Sequence, residues 1–397
     1  MRVLVTASAH FAVTPDATLW AGNASLEYAF WSRYLEVYDR VDLLARAMPA
    51  SKPPDGWVRA TGPGIFGRPV PDFTGPWEYV RRYAAVRGVL RHAISEAHAI
   101  HLRIPCTIGS EIWKRLPSGR PYGLEVVADP FDSFAPGSVR HPLRPLFRRW
   151  FSAELRRQCR HALAAAYVTR RALQAAYPCP HYSVGFSDVR IDAGSMVAKP
   201  RAYDSPRRPF NLILVGSLAQ FYKAPDVLLD ATAECVRTGL DLRLVLVGDG
   251  AFRAELERRA QRLGIAGRVE FRGQLSAGAA VQAELDAADL FVLPSHQEGL
   301  PRALVEAMAR ALPAIGSTVG GIPELLDAED LVPPGDAAAL ASRIREAVTN
   351  PGRLERMSAR NLQTAQEYRE ELLAERRRGF YRHVRALTEE WLNRLLP

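Results

Sequence analysis

Residues 294–306 read Pro294-Ser295-His296-Gln297-Glu298-Gly299-Leu300-Pro301-Arg302-Ala303-Leu304-Val305-Glu306. Just before them, Ala288-Asp289-Leu290-Phe291-Val292-Leu293 is a short apolar run that ends at Pro294. Such a run predicts a strand buried on both faces. A glycine turn follows, and Pro301 suits the first turn of a helix that reaches Ala311. Pro313 to Ser317 then predicts another strand. Strand, turn, helix and strand form the unit of a parallel sheet with right-handed crossovers. The unit recurs upstream. Leu212-Ile213-Leu214-Val215-Gly216 predicts a strand, Pro225 to Val236 a helix, and Leu242 to Gly248 a second strand. Phe252 to Leu263 predicts a charged helix and Val269-Glu270-Phe271 a third strand. These alternations imply a doubly wound α/β domain with helices on both faces of its sheet.

The first half repeats the theme less regularly. Strands are expected at Val3 to Ala7, Val41 to Ala45, Ala99 to Ile104, Leu124 to Ala128 and Ala164 to Thr169. Helices are expected near Ser25 to Val37, Trp77 to Glu96 and Leu143 to Leu163. Met48 to Pro76 is rich in Pro and Gly and predicts loops. Lys199 to Pro209 carries three prolines and no apolar periodicity, which predicts a linker. Two domains result, residues 1–200 and 201–375, with their parallel sheets facing across a cleft.

Composition narrows the function classes. The chain has 397 residues, 48% hydrophobic and 24% charged, which fits a folded globular protein. No apolar run approaches the length of a spanning helix. Met1 to Ser8 reads as a first strand rather than a signal peptide. Cys106, Cys159, Cys179 and Cys235 show no CxxC spacing, so neither zinc nor a disulfide framework is expected. His10, His101 and His296 likewise lack a metal-site spacing. A reducing cytosol is the expected compartment. The net charge is +9, with 48 arginines and only four lysines, and its sign points to an anionic partner.

In the opening stretch, Glu298 lies in a loop and Glu306 on a helix. Both can face the carboxyl edge of the sheet, where open α/β sheets bind ligands. The N–H groups at that helix start suit a phosphate, and the carboxylates suit sugar or ribose hydroxyls. The alternative is a first-turn acid and a solvated helix residue. Here the chain resembles the family 4 glycosyltransferases, retaining enzymes of the two-domain GT-B fold. Two glutamates with seven residues between them are that family's signature, and Glu298 and Glu306 match it. Val215-Gly216-Ser217-Leu218, followed by Tyr222-Lys223-Ala224-Pro225, resembles its first strand end and helix start. Val247-Gly248-Asp249-Gly250 and Val319-Gly320-Gly321-Ile322-Pro323-Glu324 resemble its later glycine turns. The likeness spans about residues 210 to 326.

The resemblance implies roles position by position. Glu298 would contact the donor sugar, Glu306 the ribose, and Lys223 the diphosphate, where it offsets charge on the leaving group. Arg272-Gly273-Gln274-Leu275 would lie near the nucleobase, and Gly216, Ser217, Gly248, Asp249, Gly299 and Leu300 would line the donor site. Gly22 and Asn23 best match the family's N-terminal glycine turn, although Asn23 or Ser25 equally suits a helix cap. The final helices, Arg353 to Tyr368 and Leu373 to Leu396, resemble a C-terminal segment returning to the first domain, with residues 376–397 as its last part. No cofactor and no metal is implied; the nucleotide sugar is a substrate.

Two departures stand out. Ser217 replaces the arginine that most relatives carry, so Arg272 or Arg302 would have to supply a second cation. The N-domain strand end reads Glu125-Val126-Val127-Ala128-Asp129-Pro130-Phe131-Asp132, without the family's histidine. Asp129 either hydrogen-bonds the sugar or accepts the acceptor's proton there, or simply caps the turn before Pro130; Asp132 reads as a cap. Arg103 ends another strand and reads as a salt-bridge residue rather than an acceptor ligand.

Arg140, Arg144, Arg148, Arg149, Arg156, Arg157, Arg160, Arg170 and Arg171 crowd residues 136–171 beside a single acid, Glu154. Phe147, Trp150 and Phe151 interleave with them. A basic amphipathic helix of this kind suits an anionic membrane surface or a solvated face. No nucleic-acid module accompanies the charge. The expected activity is transfer of a hexosyl unit from a nucleotide sugar to a glycan or lipid-linked hydroxyl, by a cytoplasmic enzyme peripheral to the membrane. A GT-B nucleotide-sugar 2-epimerase and a membrane-binding protein without activity are the alternatives.

Overall fold

The computed structural model describes residues 1–134, 143–192, 194–203, 209–276 and 278–395. Two sheets organise the chain. The first contains β1 (Arg2–Val13), β2 (Leu19–Ala21), β3 (Arg40–Pro49), β4 (Val58–Arg59), β5 (Ile65–Pro71), β6 (Ala99–Ile104), β7 (Gly123–Val126), β8 (Ala164–Tyr167) and β9 (Tyr182–Gly185). Its parallel part runs β5-β3-β1-β6-β7-β8-β9, while β2 and β4 add an antiparallel flap at the end of β1. The second contains β10 (Phe210–Val215), β11 (Leu242–Val247), β12 (Val269–Gly273), β13 (Leu290–Leu293), β14 (Ala314–Ser317) and β15 (Leu331–Val332). It runs β12-β11-β10-β13-β14-β15, all parallel. The central strands β6, β7, β8, β13 and β14 are buried along their whole length, as strands covered by helices on both faces are.

Chain order reverses between β1 and β6 in one sheet and between β10 and β13 in the other. Crevices open at the carboxyl ends of strands at such switch points. Gly216 follows β10, and the Glu298 loop follows β13, so the second switch point carries the quoted stretch.

Several expectations need correcting. Residues 48–76 are not all loop: β3 runs to Pro49, and β5 pairs with β3 from Val41↔Ile65 to Ala47↔Pro71. Ser25 to Val37 is not one helix but two 3₁₀ turns flanking a single helical turn, Tyr28–Ser32. That break turns Arg33 and Tyr34 into the core, where both are buried. β1 continues six residues past Ala7 and ends in the β2 hairpin.

The long helix Glu370–Leu395 packs back on the first sheet. Phe380, Tyr381 and Val384 are fully buried there. Tyr381 stacks on Tyr34 at 4.5 Å between ring centroids. The Tyr38 hydroxyl donates to the Tyr381 carbonyl at 3.1 Å. Where the chain enters this helix, Glu370 N–H donates to the Ile191 carbonyl at 3.0 Å. Earlier, Val197 N–H bonds the Ala309 carbonyl at 2.9 Å, so the outgoing connection lies against the second sheet's helices. Residues 204–208 of the expected linker lie outside the described residues.

Candidate active site

The second sheet brings three glycine turns together. Gly216 N–H donates to the Val247 carbonyl at 2.9 Å, Leu218 N–H to Asp249 at 2.9 Å, and Gly248 N–H to Gly273 at 2.8 Å. Gly248 has φ +134°, and a Cβ there would stand 1.9 Å from the Gly216 carbonyl oxygen. No side chain fits, so these strand ends approach as bare backbone. Ser217 Oγ accepts from Ala219 N–H at 3.2 Å and so shapes its own turn.

Lys223 ends the 3₁₀ turn Phe221–Lys223, and its methylenes lie over Gly216. Its Nζ donates to Glu298 Oε1 at 2.6 Å. The same oxygen accepts from the buried Ser295 hydroxyl at 2.7 Å, and the Ser317 hydroxyl fixes the Ser295 carbonyl at 2.6 Å. His296 N–H ties the loop to the Tyr222 carbonyl at 2.7 Å. The ammonium and carboxylate are therefore both held before any ligand arrives. Lys223 is 11% exposed and Glu298 7%, deep enough for the pair to be weakly screened.

Glu306 lies about one turn into the helix that begins at Arg302 (Arg302–Ala309) and is half-buried. Burial raises its carboxyl above the usual range, and Arg302, four residues earlier, opposes the rise. Arg272 cannot stand in as a free second cation, because Glu270 at 3.0 Å and Glu284 at 3.2 Å hold it. Arg302 is exposed. Gln274 bonds only the neighbouring Leu275 carbonyl, at 3.2 Å, among the described residues. Asp249 accepts from Gly250 N–H at 2.7 Å and meets Arg253 at 3.3 Å.

The first sheet supplies the opposite wall. Gly299 sits so close to the end of β7 that a Cβ would stand 2.7 Å from the Val127 carbonyl oxygen. Leu300 is buried beside it. Asp129 caps the short helix Pro130–Ser133 by accepting from Phe131 N–H at 2.7 Å, and it also accepts from the Tyr177 hydroxyl. Asp132 follows. Burial, then the nearby Asp129 charge, pushes its carboxyl up to about 6, while Arg148 and the Gly320 N–H pull it down. Gly22 lies against the Trp57 ring, and Asn23 accepts from Ser25 N–H at 3.0 Å as a turn cap. Neither makes a hydrogen bond to the second sheet among the described residues.

One cluster was not legible in the sequence. A small cavity at the ends of β6, β7 and β8 is lined by Arg103, Glu125, Val127, Tyr167, Phe186 and Asp188. Arg103 bonds Glu125 at 2.5 Å and Asp188 at 2.6 Å, and Arg33 bonds Asp188 at 2.8 Å. Tyr34 and His101 complete the shell of Glu125 at 2.7 and 3.3 Å. Arg103 is thus the salt-bridge residue expected.

Residues 209–350 match a family model described as glycosyl transferases group 1. The chain carries a group 1 glycosyltransferase domain. Protein CapJ of Staphylococcus aureus is 24% identical over 341 residues, 82% of each chain. A GDP-mannose-dependent alpha-(1-6)-phosphatidylinositol dimannoside mannosyltransferase of Mycobacterium tuberculosis is 34% identical over 189 residues, 43% of this chain and less than half (48%) of that protein. The fold resembles that of Anabaena HepE, solved with UDP and glucose, at a TM-score of 0.60 and 18% identity, covering 100% of this chain and 99% of that one. The chain thus has the GT-B fold: two Rossmann-like domains, one built on each sheet.

Proposed function

We propose that the protein is a retaining glycosyltransferase that moves a hexosyl unit from a nucleotide sugar to a hydroxyl of a glycan or lipid-linked acceptor. The Lys223–Glu298 pair carries this reading. It places a cation and a hydroxyl-accepting carboxylate 2.6 Å apart at the switch point of the second sheet, beside three glycine turns. On donor binding Lys223 turns from Glu298 toward the diphosphate, whose charge grows as the glycosidic bond breaks. Glu298 then accepts from sugar hydroxyls, and Glu306 from the ribose. Gly216, Gly248, Gly273 and Gly299 let backbone approach the donor, with Ser217, Asp249, Arg272, Gln274 and Leu300 around it. Lys223 and Arg302 supply the positive charge, so the reaction is proposed to need no metal. Asp129 borders the acceptor side as a capping carboxylate. HepE's complex with UDP and glucose supports a nucleotide-sugar donor.

A thermal-shift panel of nucleotide sugars tests the donor. The true donor at about a hundred times its Kd should stabilise the protein by about 2.7 kcal/mol. With that donor and an acceptor, the product should keep the donor's anomeric configuration. An inverted product overturns the retaining reading, and an epimerised sugar formed without acceptor overturns transfer itself.

We also propose that the acceptor is met at an anionic membrane surface on the cytoplasmic side. Support comes from the helix Arg144–His161, which exposes Arg149, Arg156, Arg157 and Arg160 together with Leu146 (60%) and Trp150 (53%). The helix Gly75–Glu96 exposes Trp77 and Val80 just ahead of Arg81 and Arg82. Lys114 bonds Glu154 at 2.8 Å and Arg115 bonds the Tyr83 hydroxyl at 3.0 Å, which joins both helices through the helix between them, Thr107–Trp113. Arg140 lies outside the described residues. No helix among the described residues is long and apolar enough to cross a membrane. Vesicles with a third anionic lipid should sediment the protein, and zwitterionic vesicles should not. Unchanged sedimentation after Arg149, Arg156 and Arg157 are replaced by Ser would overturn this surface.

A further inference from the structure

The first four N–H groups of a helix have no partner within it. In the helix Ala172–Ala176, which follows β8, one of these groups is satisfied locally: Leu173 N–H donates to Thr169 Oγ1 at 3.0 Å. The three preceding N–H groups donate to a carboxylate from the other domain. Arg170 N–H bonds Glu324 Oε2 at 2.7 Å, Arg171 N–H bonds Glu324 Oε1 at 2.9 Å, and Ala172 N–H bonds the same oxygen. One side chain thus reaches from the second domain into a cup of backbone N–H groups on the first.

Glu324 is also rigidly joined to the loop that bears Glu298. It stands in Ile322–Leu325, directly after Gly320 and Gly321. Gly321 N–H donates to the Gly299 carbonyl at 2.6 Å. Gly320 has φ +52°, and a Cβ there would stand 2.1 Å from the Glu298 carbonyl oxygen. Backbone packs on backbone with no side chain between to give way. A shift of Glu324 therefore moves Glu298 and Gly299 with it. A second tie lies beside the first, where the Arg170 guanidinium pairs with Glu367 ahead of the returning helix.

We propose that Glu324 is a positioning residue that sets the spacing between the two domains, and so the distance from the Glu298 loop to the ends of β7 and β8. Its kinetic consequence rests on the transfer reading above; the docking itself does not. Charge-assisted bonds to N–H groups are the strong kind, and three on one carboxylate also fix its orientation.

The test uses the full chain. Hydrogen exchange is followed across residues 168–176, and small-angle scattering reports the overall dimensions, for the wild type, Glu324→Ala and Glu324→Gln. In Glu324→Ala the Arg170, Arg171 and Ala172 amides should exchange at least about tenfold faster, and the maximum dimension should grow. Glu324→Gln keeps one acceptor oxygen and nearly the same shape, so it should fold normally and fall between the two. Exchange unchanged in both variants overturns the docking. Faster exchange with an unchanged scattering profile overturns the positioning role and leaves a helix cap. Where wild type transfers sugar, Glu324→Ala should lower kcat with the donor's thermal shift retained. If wild type transfers none, the glycosyltransferase reading fails while the exchange and scattering results still decide this one.

Discussion

Lys223→Ala is expected to lower turnover by about 10²–10³-fold, the cost of losing one group aimed at charge that develops in the transition state. The fold should survive. Lys223 lies on a strand-end turn, and the Glu298 carboxylate left behind keeps its bond from Ser295 at 2.7 Å. The loss should fall mainly on kcat, because the ammonium already has a partner in the resting protein and gains most as the leaving diphosphate becomes more negative. Donor binding, read by thermal shift, should weaken far less. Lys223→Arg should not restore the rate, since a planar fork cannot follow the path of a compact ammonium over Gly216. Glu298→Gln should also impair turnover, because it removes the charge that holds Lys223 in place at 2.6 Å. Turnover within a few-fold of wild type in Lys223→Ala would remove this pair from the chemistry.

Arg103→Ala should destabilise the first domain by about 3–5 kcal/mol, the usual cost of removing one partner from a buried ion pair. Arg103 is 8% exposed and serves two carboxylates at 2.5 and 2.6 Å. Burial alone would raise the Glu125 pKa. The charge of Arg103, then a bond from His101 and the charge of Arg33, overcome burial and bring it to about 2. Asp188 is lowered further by the same two arginines against the same burial. Carboxyls depressed in the folded state stabilise it above their unfolded value near about 4.3 and cease to do so as pH falls through the folded value. Wild type should therefore lose stability between about pH 4.3 and about pH 2. Arg103→Ala should lack much of that reserve at neutral pH and unfold at a higher pH on acid titration. Urea midpoints at pH 7 and pH 4 check both statements, and equal midpoints for the two proteins at pH 7 would contradict them.

The second sheet was legible because its units are local. β10, β11 and β13 are short apolar runs closed by a glycine or proline, and a helix follows each after a short turn. The first domain hid more. β5 carries Pro69 and Pro71, which read as a loop; as the edge strand paired only with β3, it tolerates them. Ser25 to Val37 has helical periodicity, yet tertiary packing breaks it so that Arg33 can reach Asp188. In the site, Lys223 and Glu298 were singled out from separate strand-end motifs, but nothing in their spacing of 75 residues tells that they touch. Asp129 was open between cap and ligand, and its bond from Phe131 N–H shows the cap. Glu324 stood in a recognised glycine turn without a task. Its partners are backbone groups more than 150 residues away, and backbone N–H groups leave no mark in a sequence.

The helix Glu370–Leu395 gives the chain an order of assembly. Tyr381 and Phe380 complete the apolar interior around Tyr34 and His101, residues that precede the whole second sheet. All six strands of the second sheet emerge from the ribosome before that helix does. Tyr34, Tyr38 and His101 therefore stay uncovered until residues 380–384 have been made. The second domain can close on its own schedule. The interior of the first domain is thus closed by chain that lies beyond the whole of the second sheet, so loss of residues 380–384 would uncover the far domain rather than the neighbouring one.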